Sequence, residues 1–292
     1  MVTLFFILAM MAIVSTSLSL ISKNFENSDD ESMKLQLMLS GKDLIKILKD
    51  SKEINDINTT QDMKDFLSVA SFVPLGKVGL FDEAVSISSA EEKINFAKMA
   101  RWTSKQKEHL KEYLMEYGVV DPSFFLHIIE DLTGKKRADR VFLTEAVYAH
   151  PEWVSAAILD WMQFYDILDY YILQTDDYAI CRVPWRNIAR FSSYGGVEAD
   201  INFATPDVWH FIFPDMDKEQ IVAMQANRVF EKWEDLPFSK EQTNIIRQFI
   251  KIDEHPTLFH IKVVLRREQK SIAVSFDYDI KKKKIYDTVY NY

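Results

Sequence analysis

The sequence predicts an α+β protein: a helix-rich N-terminal part, then a mixed C-terminal part ending in a three-stranded antiparallel meander. Three observations carry this. The 292 residues include only seven glycines, and folds dense in tight turns draw on glycine for positive-φ positions, so the scarcity favours helices. From Thr59 onward, successive apolar-periodic segments each open on a capping residue. From Phe259 to Tyr290, apolar and polar residues alternate with the period of half-buried strands. With 48% hydrophobic residues the chain can bury a sizeable core.

Taken in order, Met1 to Ile21 carries no charged side chain, and its apolar heart runs from Phe5 to Val14. About ten apolar residues suit the h-region of a signal peptide and fall short of the ~20 that span a bilayer. Counting Leu18, Leu20 and Ile21 lengthens the segment towards an uncleaved anchor. Residues 1–22 are therefore expected to be a signal peptide or membrane anchor, and 23–32 an acidic spacer. Met33–Leu39 allows strand or helix, and Ser40 with Asp43 fits the cap of a short helix to Leu48. A polar connector follows to Thr60; its Asn58-Thr59-Thr60 is a glycosylation sequon only if the chain is exported through a eukaryotic secretory path.

Thr59 or Thr60 opens a helix to about Phe72, stopped by Pro74, and Val78–Ile87 reads as loop or short strand. Ser88 with Glu91, or Ser89 with Glu92, forms a capping box for a helix to Ala100. Thr103 caps another to Tyr117, closed by Gly118, and Asp121-Pro122 opens one ending at Gly134. Ala138–Ala149 follows, and His150-Pro151 begins a long aromatic helix. Its apolar positions (Val154, Ile158, Trp161, Phe164, Tyr165, Leu168, Tyr171, Ile172) share one face. Asp160, Gln163, Asp166 and Asp169 share the other. Beyond Asp177, Tyr178–Val183 and Val197–Phe203 read as strands, Trp209–Phe213 as a short apolar run, and Asp217/Gln220 and Ser239/Gln242 as caps of two helices. The domain reading is a helical region over 33–175 and a mixed α+β region over 176–292, either separate, with a break near Gln174–Asp177, or continuous with it.

The standard nucleophile-elbow, phosphate-loop, dinucleotide and zinc signatures are absent from the sequence. The net charge of −9 disfavours nucleic acid as a partner. The one cysteine, Cys181, rules out an intramolecular disulfide and reads as a small buried hydrophobe. What stands out is Glu152–Trp185, with eight aromatic and six acidic residues against the single base Arg182. Such a stretch is either core or the wall of a ligand cleft, and Trp153, Trp161, Tyr178, Arg182 and Trp185 are the expected contacts for a protein or glycan partner. The leading expectation is an exported or membrane-tethered binding protein without cofactor or metal. The alternative is an extracytoplasmic hydrolase, acting on glycans, that draws a carboxylate pair from Asp166, Asp169, Asp177, Asp215 or Asp217. His127 with Asp131 lies at metal-ligand spacing on one helix face, His255 and His260 read as surface histidines, and Lys281–Lys284 as a charged hairpin loop.

Overall fold

The computed structural model describes residues 29–78, 81–133, 144–155, 157–214, 216, 218–226, 228–253, 257–268 and 270–291. The leader segment, most of the acidic spacer, Gly134, the start of the Ala138 helix, Asp215, Asp217 and His255 lie outside the described residues. The protein is α+β, as the alternation and capping patterns predict. Its contacts group into two compact units, one formed by residues up to Ala90 together with those from Asp253, the other by Glu91–Ile252. The segment 174–177 lies inside the second unit.

In the first unit, helix α1 (Asp29–Asp50) is continuous through Ser40. The expected cap is not used, because Met33, Leu37, Leu44 and Leu48 keep one unbroken buried stripe and tertiary burial overrides a local capping signal. Ser40 itself sits on that buried face. The connector after Asp50 contains a single helical turn, Lys52–Asn55, capped by Ser51. Helix α2 (Thr60–Ala70) starts at the threonine pair as predicted, and there Thr59 and Asp62 form a full capping box.

Five antiparallel strands follow in the order β1 (Val73–Val78), β2 (Phe81–Ser89), β3 (Leu258–Arg267), β4 (Lys270–Asp279), β5 (Lys284–Asn291). The expected meander is β3–β5; β1 and β2 extend it. Pro74 does not simply stop a helix but lies in edge strand β1, where its missing N–H breaks no inner ladder. The capping boxes predicted at Ser88 and Ser89 do not form. Phe81, Val85, Ile87 and Ser89 alternate inward, and this period-2 burial carries β2 to Ser89 before any helix can start. The inner face of the sheet packs against α1 and α2, with the Phe66 and Phe259 rings 5.3 Å apart. The outer face is polar: Ser88, His260 and Asp277 lie opposite one another on β2, β3 and β4, and His260 Nδ1 is 2.8 Å from Asp277 Oδ1. His260 is thus a surface residue with a partner. The lysine run turns the chain from β4 into β5, where the Lys283 ammonium donates to the Lys49 carbonyl at 3.0 Å.

The chain leaves the sheet at Ser89 and returns on the neighbouring strand, Ser89 lying opposite Phe259. The second unit is inserted between them. It holds helices α3 (Ser104–Glu116), α4 (Pro122–Thr133) and α5 (Trp161–Thr175). Thr103 caps α3 as predicted, and Gln106 completes a capping box with it; the Asp121 carboxylate accepts from the Phe124 N–H at 2.9 Å. Gly118 has φ 82°, a left-handed position that closes α3. Gly118→Ala is expected to cost about 1 kcal/mol through backbone strain alone, since an added Cβ meets nothing within 4 Å; thermal unfolding measures it.

Several segments of this unit depart from the sequence reading. His150-Pro151 opens only a 3-10 turn, Pro151–Trp153, and the long helix begins at Trp161. Its cap is Asp160, whose carboxylate accepts from the Gln163 N–H at 2.9 Å. Gln163 is accordingly buried rather than solvated: its amide accepts from the Leu159 N–H and donates to the Trp153 carbonyl, each at 2.7 Å. Tyr178–Arg182 is a 3-10 turn, not a strand, because the Asp177 carboxylate accepts from the Ala179 N–H and starts a turn there. The predicted strand Val197–Phe203 reduces to Ala199–Asp200, paired in parallel with Ile250–Lys251. Trp209–Phe213 falls largely in a helix, Pro206–Ile212, capped by Thr205. The Ser239/Gln242 box opens Lys240–Ile246, which stops early because Phe249 to Lys251 is drawn into that short ladder.

Candidate functional site

Helix α5 is the element on which the aromatic segment is built. Its inner face, Phe164, Ile167, Leu168 and Tyr171, is buried, and Phe164 meets Trp185 and Phe191 at ring distances of 5.1 and 4.9 Å. Trp185, expected at a ligand surface, is a core residue. It is 4% exposed, packs on Phe96, Phe125 and Phe164, and donates its indole N–H to the Ile180 carbonyl at 3.0 Å. Aromatic residues beyond what one helix face needs are absorbed here by the neighbouring helix α4 and the turn at 178–188.

Asp177 is likewise structural. Its carboxylate accepts from the Val120 N–H (2.7 Å), the Tyr171 hydroxyl (2.8 Å) and the Ala179 N–H (2.9 Å). Burial pushes its pKa up, but the three donors together, with Arg182, outweigh burial and hold it below the ordinary carboxylate value. The Tyr171 hydroxyl is pushed up to about 12, first by burial and then by the bond it donates to Asp177. Asp131, predicted at metal spacing with His127, is buried and accepts from the Thr144 N–H at 2.6 Å, whereas His127 is exposed. Asp166 and Asp169 sit on one helix and do not face each other across a cleft.

The outer face of α5 is the exposed part. Leu159, just before the helix, Met162 and Leu173 are 69, 72 and 79% exposed. Asp166, Asp169 and Asp176 fall on the same stripe, every interval from Met162 being three or four residues. Beside this stripe runs a shallow groove of about 250 Å³, lined by Tyr165, Leu168, Asp169, Cys181, Trp185 and Arg186 among others. Cys181 is exposed in it, contrary to the burial its apolar neighbours suggest, because the turn 178–182 points Ile180 inward instead. Burial first, then Asp169 and Asp177, push its thiol pKa up, so it is a poor nucleophile.

Arg186 was not singled out by the sequence, and nothing local to it signals its role. Its guanidinium lies 5.3 Å from the ring centres of both Trp161 and Tyr165, and its Nε donates to the Tyr165 hydroxyl at 2.7 Å. The expected contact residue Trp161 is thus half-buried under a cation of its own chain. Trp153 is half-buried too, stacked on His150 with ring centres 3.7 Å apart. Tyr178 and Arg182 are exposed. A separate buried cluster joins Glu91 to the Lys251 ammonium at 2.8 Å and holds Asp200 through the Asn202 N–H at 2.7 Å. Among the described residues no helix is long and apolar enough to cross a membrane.

The arrangement around α5 therefore offers an acidic, partly apolar surface with a groove alongside, and no assembled nucleophile or acid–base pair among the described residues. No protein-family model, curated protein or solved structure matches this chain.

Proposed function

We propose that this chain is an exported or membrane-tethered binding protein whose inserted unit presents the outer face of α5 to a basic, amphipathic segment of a protein partner. The observation that carries this is the stripe Leu159, Met162, Asp166, Asp169, Leu173, Asp176, in which large apolar side chains stand in water between carboxylates. Met162 and Leu173 on the helix, with Leu159 just before it, are more than scattered surface exposure, and their spacing is that at which an amphipathic helix presents its anchors. The carboxylates and the net charge of −9 favour a cationic partner by steering and by complementarity. Support for export is the apolar segment Phe5–Val14 preceding the acidic spacer.

A synthetic lysine–leucine amphipathic helix is the probe, titrated by calorimetry at low and at physiological salt. The wild type should bind it, more weakly as salt rises. Asp166→Asn with Asp169→Asn, and separately Leu173→Ser, should each weaken binding about tenfold, with melting unchanged because these side chains lie at the surface. Equal affinity in all three proteins sinks the reading.

A further inference from the structure

Glu83 lies on β2 with its side chain turned to the inner face of the sheet, between Phe81 and Val85, and is 3% exposed. Among the described residues neither of its carboxyl oxygens has a hydrogen-bond partner. Its surroundings can be named element by element. From α1, the buried Ser40 hydroxyl faces it without a bond of ordinary geometry, and Asp43 adds negative charge. From β3, Leu265 is directly opposite, and Arg267, two residues on, lies over the Phe81 ring at 5.9 Å. From β1, Gly76 is opposite, while Lys77 pairs in register with Asp82. A carboxyl in this setting is tolerated when protonated and strongly disfavoured when ionised.

We propose that Glu83 makes the docking of α1 onto the sheet proton-gated: the helix is closed over the sheet while the carboxyl is neutral and opens locally when it ionises. The helix yields rather than the strand for a mechanical reason. β2 is held by ladders to β1 and β3 on both sides, whereas α1 rests on β3 and β4 through side-chain packing, and the element without a ladder opens at lower cost. Burial, with Asp43 adding to it, raises the Glu83 pKa from 4.5 to about 7. The direction follows from the sign of that shift. Between these two values the open form releases a proton that the closed form retains, so the closed form is fully favoured at low pH and loses ground until pH passes about 7.

The test is amide hydrogen exchange on the full chain across pH 5 to 8, corrected for intrinsic exchange. The opening constant of residues in α1 should rise about tenfold per pH unit up to neutrality and then level off, while amides of β3 and β4 stay protected. Glu83→Gln, nearly isosteric, should keep α1 protected and flatten the profile. Asp43→Asn removes a charge that raises the Glu83 pKa, so the rise should level off at a lower pH. The proposal is overturned if α1 protection is independent of pH, if Glu83→Gln shows the wild-type profile, or if β3 and β4 open together with α1.

Discussion

Trp185→Ala is expected to lower the stability of the inserted unit by about 3–5 kcal/mol, the range for deleting a large buried aromatic side chain. The indole fills the space between Phe96, Phe125 and Phe164, and its removal also strips the Ile180 carbonyl of its donor. Both losses act in one place, because the same carbonyl lies in the turn that covers the ring. Denaturant unfolding followed by a probe within Glu91–Ile252 measures the change, and Tyr178→Ala is the control. Tyr178 is 64% exposed, so its loss should stay within about 0.5 kcal/mol. Comparable losses for the two variants would contradict the packing described.

Asp177→Ala is expected to cost about 2–4 kcal/mol, since it leaves two backbone N–H groups and the Tyr171 hydroxyl without their acceptor. Because the folded carboxyl is held below its ordinary value of 3.8, its contribution is complete above that value and is lost as pH falls through the lower folded one. Acid unfolding of the wild type should therefore include a component that Asp177→Asn lacks. If the two proteins show the same acid limb, the carboxylate is not the anchor of this turn.

What was legible in the sequence is what is encoded within a few residues. The caps at Thr59, Thr103 and Ser239 and the Asp121 cap before Pro122 each set a side-chain acceptor three residues from the N–H it receives, and the alternation of β3 and β4 needs no distant partner to be seen. What stayed hidden depends on groups brought from elsewhere in the chain. β2 reads as loop or strand until β3 pairs with it, and Ser88 meets His260 only in the fold. Asp177 looks like a solvated helix exit, yet one of its donors, Val120, comes from the loop before α4. Trp185 and Tyr178 look equivalent as cleft aromatics, and only packing separates the one from the other. Glu83 is inconspicuous for the same reason: its position on β2 fixes which way it points, but not that α1 will cover it.

The insertion of one unit between two adjacent strands sets an order of assembly. A chain made from its N-terminus presents β1 and β2 long before β3, which is their missing neighbour, so the sheet is a topology of distant contacts and closes late. The inserted unit has no such wait. Its own ends are fastened to each other, the Asp200 N–H donating to the Glu91 carbonyl and Lys251 pairing with the Glu91 carboxylate. Once formed, that clasp replaces a long floppy loop by a short rigid one, and the entropy of bringing β3 alongside β2 falls accordingly. A break in the Glu91–Lys251 clasp is therefore expected to appear in refolding kinetics as slower closure of a sheet to which neither residue belongs.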